Sequence, residues 1–473
     1  MRLIAPLLCL LQLLNCSTAG PLLLQDMTTM QKMRARAINR SDPALSAPLE
    51  LLRADATSLF FGNSTFVDGA GPWAVTDKGK WTHYVAASGD PHDYFSTAKY
   101  CWPCNTSCNH TMFPGNACDA WLTGKDYHPH KCNNASGLPW LCHDGFANPI
   151  NADLDAGSWA EVANAVPTLA LSAFLTDNVD HARRAANLTR TWFLDPKTAM
   201  RPNIDYSQAI PGLNNGTHGG IIDWSGHHKL LDVLDGMTLV AASPNILVAS
   251  AWTADDARQM ASWISKFSEW LEESPSGKSE RGSTNNHGTN YDVLALGMLK
   301  FLGSDKDAHK ICTEAPHKRL YKQVSGATNG FPAGALPLED RRTNTEHYHS
   351  QNTAALLTLA QLCRSINSTD LYSVSVRPET GSTAVNVTLL DVVTFVLPYI
   401  SNVTGPQKKW PFEEIEPDEP CYWAQVLRKA ANGFRNATFE RAFAKLPQDQ
   451  NIGLLQSQKY QLDLLQPALF ASA

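Results

Sequence analysis

The sequence lacks a basic excess: 39 Lys and Arg stand against 45 Asp and Glu, a formal net charge of −6. A field of that sign does not gather nucleic acid, and an acidic ligand would have to be drawn by a local cluster of cations. It also lacks, beyond residue 14, any apolar run near the roughly 20 residues that cross a bilayer, so no membrane anchor is expected. Apolar–polar alternation is scarce, confined to pieces such as residues 372–376. That scarcity argues against a sandwich or β-barrel.

The amino-terminal end, by contrast, is rich in signal. Met1 and Arg2 precede an apolar run over residues 3–14, and Ser17-Thr18-Ala19 places small residues at a cleavage site. This reads as a secretory signal peptide over residues 1–19, with a single domain over 20–473. Asn39, Asn63, Asn105, Asn109, Asn134, Asn187, Asn215, Asn367, Asn386, Asn402 and Asn436 each open an N-x-S/T sequon, so N-linked glycans are expected. Cys101, Cys104, Cys108, Cys118, Cys132 and Cys142 crowd one segment, while Cys312, Cys363 and Cys421 are dispersed. Secretion favours disulfides within an irregular insertion at about 101–142. A zinc reading of Cys101, Cys104, His128, His130 and Cys132 ranks behind it, and no metal is assigned. The odd number of cysteines leaves one thiol free or paired outside the chain.

From Ser158 onward the apolar spacing is helical. Capping boxes are read at Ser158/Glu161 and Thr253/Asp256, and Trp263 and Trp270 share the apolar stripe of one helix, a core position rather than a sugar platform. Further helices are expected over about 178–193, 226–241, 291–303, 351–365, 388–399 and 421–434. Amphipathic helices joined by polar loops require helix-on-helix layers. A ring of helical hairpins with a central cleft satisfies them, as do a solenoid and a bundle. Residues 62–157 carry little periodicity and read as an ordered excursion walling that cleft.

Three polar loops concentrate the chemistry: residues 203–212, residues 284–292 and residues 339–349, the last two placed just before helices. In them the chain resembles the alginate-lyase-domain family of polysaccharide lyases, especially its glucuronan lyase branch. The likeness runs from about Trp73 to Phe443. It includes Ser88-Gly89-Asp90-Pro91-His92-Asp93-Tyr94, Gly137-Leu138-Pro139-Trp140, Asp144-Gly145 with Asn148-Pro149, Thr191-Trp192-Phe193-Leu194-Asp195-Pro196 and Gln208-Ala209-Ile210-Pro211-Gly212. Its most specific motif is Asn285-Asn286-His287-Gly288-Thr289, supported by Leu336-Pro337-Leu338-Glu339 and His347-Tyr348.

The resemblance implies an all-α (α/α)n toroid and an eliminative lyase on an acidic polysaccharide, without a cofactor. It makes Asn286, His287, Tyr348 and Arg342 the catalytic set. It places Asn203, Tyr206, Gln208, Asn285, Arg341 and His347 along the substrate. Elimination removes a weakly acidic C5 proton beside a carboxylate, so amide and guanidinium donors must hold that carboxylate as enolate charge grows. Either His287 or Tyr348 is the base, and Tyr348 is the first choice of acid. Where H5 and O4 share a face, as in glucuronate and mannuronate, Tyr348 can serve as both. Asn290 stands where the family often has an aromatic, Thr217-His218-Gly219 where its cleft loop often carries an arginine before Gly-Ile-Ile-Asp, and Asn344 where a second arginine often follows Arg-Thr. Two other readings stay open: a hydrolase using Asp205 and Asp292 as paired carboxylates, and a non-catalytic polyuronate-binding protein.

Overall fold

In a computed structural model, the apolar stripes form helices packed on one another. The structure describes residues 20–39, 42–61, 74–78, 86–103, 140–142, 144–145, 147–148, 154–210, 213–378, 385–415, 420–446 and 461–467. In chain order the elements are α1 (Met27–Asn39), α2 (Ser46–Phe61), β1 (Phe95–Thr97), β2 (Cys101–Pro103), β3 (Trp140–Cys142), α3 (Asp155–Thr176) and α4 (Val179–Phe193). Next come β4 (Tyr206–Ala209), α5 (Ile222–Ser225), α6 (Lys229–Ala241), α7 (Ile246–Ala249), α8 (Ala254–Glu273), α9 (Pro275–Gly282), α10 (Asn286–Phe301) and α11 (Asp305–Ala315). The remainder is α12 (Thr345–Ser365), β5 (Ser375–Val376), β6 (Val387–Thr388), α13 (Leu389–Ile400), α14 (Pro420–Phe434) and α15 (Ala437–Lys445).

Helices in sequence pack as hairpins and lean on the next pair: α3 on α4 and α6, α10 on α12, α12 on α14, α14 on α15. This is the expected all-α toroid. The strands are short pairs, β1–β4 parallel, β2–β3 antiparallel and β5–β6 antiparallel. Trp159 and Trp224 stack at 4.1 Å within a core that also holds Trp192, Phe193 and Phe267. Trp263 lies in this core with its indole N–H on the Met200 carbonyl. Trp270 is only half-buried, and its N–H donates to Asp205 at 2.8 Å.

Several expected boundaries move, each because of a distant partner. The capping box at Ser158 does not form: α3 starts at Asp155, and Ser158 is buried inside its first turn. The Asp155 carboxylate takes the Phe95 N–H and the Lys78 ammonium, which anchors the earlier start. Thr253 and Asp256 do form their reciprocal box. Helix α10 begins five residues before the expected 291, and α12 six before 351. The Glu339 carboxylate accepts the Asn286 N–H at 2.6 Å, and the Glu414 carboxylate the Glu346 N–H at 2.7 Å. Helices α1 and α2 precede the expected helical region and bury Met30, Met33 and Leu52 against Leu171, Phe174 and Leu175.

Cys101 and Cys142 are bonded across β2 and β3, inside the expected cluster. Cys312 and Cys363, read as dispersed, join α11 to α12. Cys104, Cys108, Cys118, Cys132, His128, His130, residues 1–19 and the sequons at 63, 105, 109 and 134 lie outside the described residues. Among the described residues, no helix is long and apolar enough to cross a membrane and no group of His, Cys, Asp and Glu is arranged to hold a metal.

Candidate active site

The first turns of α10 and α12 carry the candidate residues, so what reads as loop in the sequence is helix. Asn285 caps α10, its side-chain oxygen accepting the His287 N–H at 3.2 Å. Gly288 lets this turn lie against its neighbours: a Cβ there would collide with the Ser283 carbonyl and the Arg319 guanidinium. Thr289 and Asn352 both bond the Gln323 side-chain oxygen, and Gln323 donates to the Asn285 carbonyl. Asn290, where the family often has an aromatic, is buried and donates to the Asn286 carbonyl. Helix α12 is fixed as firmly. His349 and Asp340 meet at 2.7 Å in full burial, Trp410 donates to Thr345, and Trp423 donates to Glu346.

Arg342 is the centre of the cluster. It forms an ion pair with Asp144, its Nε donating at 2.9 Å, and its guanidinium lies 3.8 Å above the Tyr348 ring. The Asp144 carboxyl is held below its ordinary range because Arg342 and the Thr343 N–H outweigh its burial. Glu339 and Asp340, the carboxylates adjacent in sequence to the arginines, could be expected to pair with them. Glu339 instead binds Asn286 and Asn352, and Asp340 binds His349 and the Leu336 N–H. Arg341 turns away, its guanidinium 4.9 Å over Phe331.

Tyr348 is 6% exposed, and its hydroxyl donates to that of Tyr100 at 2.6 Å. Burial, with Tyr100 adding to it and Arg342 opposing, pushes the phenol well above its ordinary range, so it keeps its proton. His287 Nδ1 meets the Glu280 carboxylate at 2.7 Å. Burial alone would depress this imidazole, but the Glu280 bond and charge outweigh it, and the cation is favoured beyond the ordinary range. Burial pushes Glu339 up to about 7, against the Asn286 N–H and Arg342. His347 is pushed down to about 4 by burial, then by Lys99 and Arg342. It is therefore a neutral ring, edge-on to Tyr348 at 5.3 Å and to Tyr422 at 4.7 Å.

Asn286 is 2% exposed; its amide donates to Gln351 at 3.0 Å, and its side-chain oxygen has no partner. Rotating both amides leaves the pair bonded and exchanges that oxygen for an N–H₂ donor. A carboxylate needs such a donor.

The structure brings together Asn285, Asn286, His287, His347 and Tyr348 on two helix starts, where aligned peptide dipoles favour anions, with Arg342 in the turn before the second. Tyr206 and Gln208 lie on β4, and Asn203 lies just before it. Asn203 accepts the Asp205 N–H, Tyr206 pairs with Phe95, and Gln208, at a φ of 52°, donates to Asp223 at 3.3 Å. Their link to the cluster is indirect, through α5 packed on α10. The sequence reading missed Tyr100 and Glu280, and it met Asp144 only within the Asp144-Gly145 motif, with no role attached. Tyr100 follows the 88–94 motif by six residues, within an aromatic-rich Tyr-Cys-Trp-Pro that could have drawn notice. Asp144 and Glu280 have no local signal of their partners.

The hydrolase alternative does not fit this geometry. Asp292 is 4% exposed and held by the Arg319 guanidinium at 2.7 Å and 3.0 Å, while Asp205 is bound to Trp270. Neither is a free carboxyl flanking a bond.

A family model described as alginate lyase matches residues 78–408. Among solved structures, an alginate lyase from Bacteroides ovatus superposes with a TM-score of 0.72 at 26% identity, covering 94% of this chain and 99% of that one. No curated protein matches the chain.

Proposed function

Because the chain belongs to the alginate lyase family and is a polysaccharide lyase, we propose that it cleaves a 1,4-linked polyuronate by syn β-elimination. β-1,4-Glucuronan is the first candidate substrate and mannuronate-rich alginate the second. The observation that carries the reading is a buried, proton-retaining Tyr348 beneath Arg342, in a cluster with an imidazole that Glu280 shifts towards its cation. In this reading Asn286 and His287 hold the C5 carboxylate and offset the charge that grows on it. The C5–H and C4–O4 bonds break and C4=C5 forms. The phenolic proton of Tyr348 passes to O4 as the same oxygen receives the C5 proton, so the tyrosine is neutral before and after. Arg342 polarises the phenol from above and lends the site its cationic field. His347 walls the ring, and Asn203, Tyr206 and Gln208 line the approach of neighbouring sugars.

A panel of purified polyuronates followed by ultraviolet absorbance tests this. The expected result is a C4=C5 chromophore from glucuronan or alginate. Saturable binding with no chromophore at any pH would replace the lyase with a binding protein.

We also read the protein as a secreted glycoprotein. The sequons at Asn39, Asn187, Asn367, Asn386 and Asn402 support this, since each asparagine is exposed. Endoglycosidase treatment of protein from a eukaryotic secretory host should lower its mass; an unchanged mass would remove the reading.

A further inference from the structure

We propose that the Cys101–Cys142 disulfide is a positioning clamp for the elimination site, holding Tyr348 from two sides through one β-hairpin. The proposal rests on the lyase reading above. Cys101 and Cys142 face each other in register across β2 and β3. Tyr100, immediately before Cys101, bonds the Tyr348 hydroxyl. Asp144, two residues after Cys142, fixes Arg342 over the Tyr348 ring and also accepts from the Thr343 N–H and hydroxyl at 3.2 Å each. The two arms are therefore separated by 44 residues in sequence and joined by one covalent bond beside both.

Two further contacts tighten the same hairpin. Asn148, 2% exposed, donates its side-chain amide to the Cys101 carbonyl and its backbone N–H to the Lys99 carbonyl at 2.7 Å. Gly145, at a φ of 85°, lies so close to Thr343 that a Cβ would collide with the threonine hydroxyl. The hairpin rests on two strands of three residues each, paired in register, and such a pair is marginal by itself. A crosslink at its end removes the freedom that would let Tyr100 and Asp144 drift independently. Orientation errors of about 1 Å at a reacting group can lower turnover by up to about 10²-fold. Cys101 is buried against Ala86, Phe95, Leu154 and Ala209, whereas Cys142 is exposed and open to reagents. The other described disulfide, Cys312–Cys363, is fully buried and far in sequence from this hairpin.

The test is a cycle in the full-length enzyme. Cys101→Ala/Cys142→Ala is made in the wild-type background and in Tyr100→Phe/Asp144→Asn, which removes both arms the clamp acts through. Loss of the cysteines should lower kcat about tenfold in the wild type with KM changed less than about twofold, and should cost little in the armless background, because coupled residues are non-additive. An equal loss of kcat in both backgrounds would overturn the clamp and leave the disulfide a general stabiliser. Hydrogen exchange judges the clamp without turnover. The Thr343 amide should lose protection when the cysteines are replaced, and unchanged protection would overturn the proposal even if the wild type proved inactive. Should the double variant fail to accumulate folded, the wild type is treated with a dithiol. The reagent is oxidised to its cyclic disulfide as Cys101 and Cys142 become thiols, and the same loss of Thr343 protection is read. A wild type that makes no chromophore from any polyuronate while its exchange behaves as expected would sink the lyase reading and spare the clamp.

Discussion

At the scale of single residues the site pairs two groups whose hold on a proton is strengthened. Burial keeps the proton on Tyr348, and the Glu280 bond and charge, against burial, shift His287 towards its cation. General acid–base groups contribute about 10²–10⁴-fold, so Tyr348→Phe and His287→Ala should each lose at least about two orders of magnitude in rate with circular dichroism unchanged. Groups that act as a unit are non-additive, and the double variant should be little worse than the poorer single one. A folded Tyr348→Phe that still forms unsaturated product near the wild-type rate would mean that another residue transfers the proton. The pH profile separates the two roles of His287. If the cation holds the carboxylate, kcat/KM falls as pH rises through the raised imidazole pKa, and Glu280→Gln moves that limb to lower pH, since burial and Arg342 then dominate. A rate that rises through the same range would make His287 the base. The arginines differ as sharply. Arg342→Ala should weaken turnover and polyuronate affinity together, whereas Arg341→Ala, with its guanidinium on Phe331, should do less; steady-state kinetics of both variants decides it.

At the scale of elements, the two turns that carry the candidate residues are helix starts held by carboxylates from elsewhere. Glu339 meets the first N–H of α10 and Glu414 that of Glu346 in α12. Orphan N–H groups at a helix start must find acceptors, and here the acceptors set where Asn286 and Tyr348 stand. Gly288 has the tightest surroundings in α10. Gly288→Ala should push the turn off Ser283 and Arg319, costing about 1–3 kcal/mol and displacing His287. Denaturant unfolding together with turnover measures both; an unchanged midpoint with full activity would show that the turn accommodates a methyl group.

At the scale of the whole molecule, the second disulfide acts on stability rather than on chemistry. Cys312 and Cys363 close a loop with a sequence separation of 51 between α11 and α12, and both are fully buried. Such a crosslink typically stabilises by about 2–4 kcal/mol. Cys312→Ala/Cys363→Ala should therefore unfold at lower denaturant while kcat stays within about twofold. A large loss of kcat at unchanged stability would place this bond in the mechanism instead. The net charge of −6 works at this scale too: under the proposed function an acidic polysaccharide meets the local field of Arg342, Lys99 and the two helix starts rather than a whole-molecule attraction.

The sequence by itself determined the helical body, because apolar spacing at 3.6 residues needs no partner to be read. Six expected helices, with Thr253 as a working cap, are seen in the structure. It also singled out His287, Tyr348 and Arg342, through short motifs that resemble those of a lyase family, and the structure sets Arg342 over the Tyr348 ring. What it left undecided was pairwise. That Arg342 bonds Asp144 across 198 positions, that Tyr348 meets Tyr100 across 248, and that Cys312 finds Cys363 are matters of which surfaces face each other. The same holds for the first turns of α10 and α12, whose local residues read as loop until Glu339 and Glu414 supply the missing acceptors. Periodicity records which face of a segment is buried; only the packed chain decides what it is buried against.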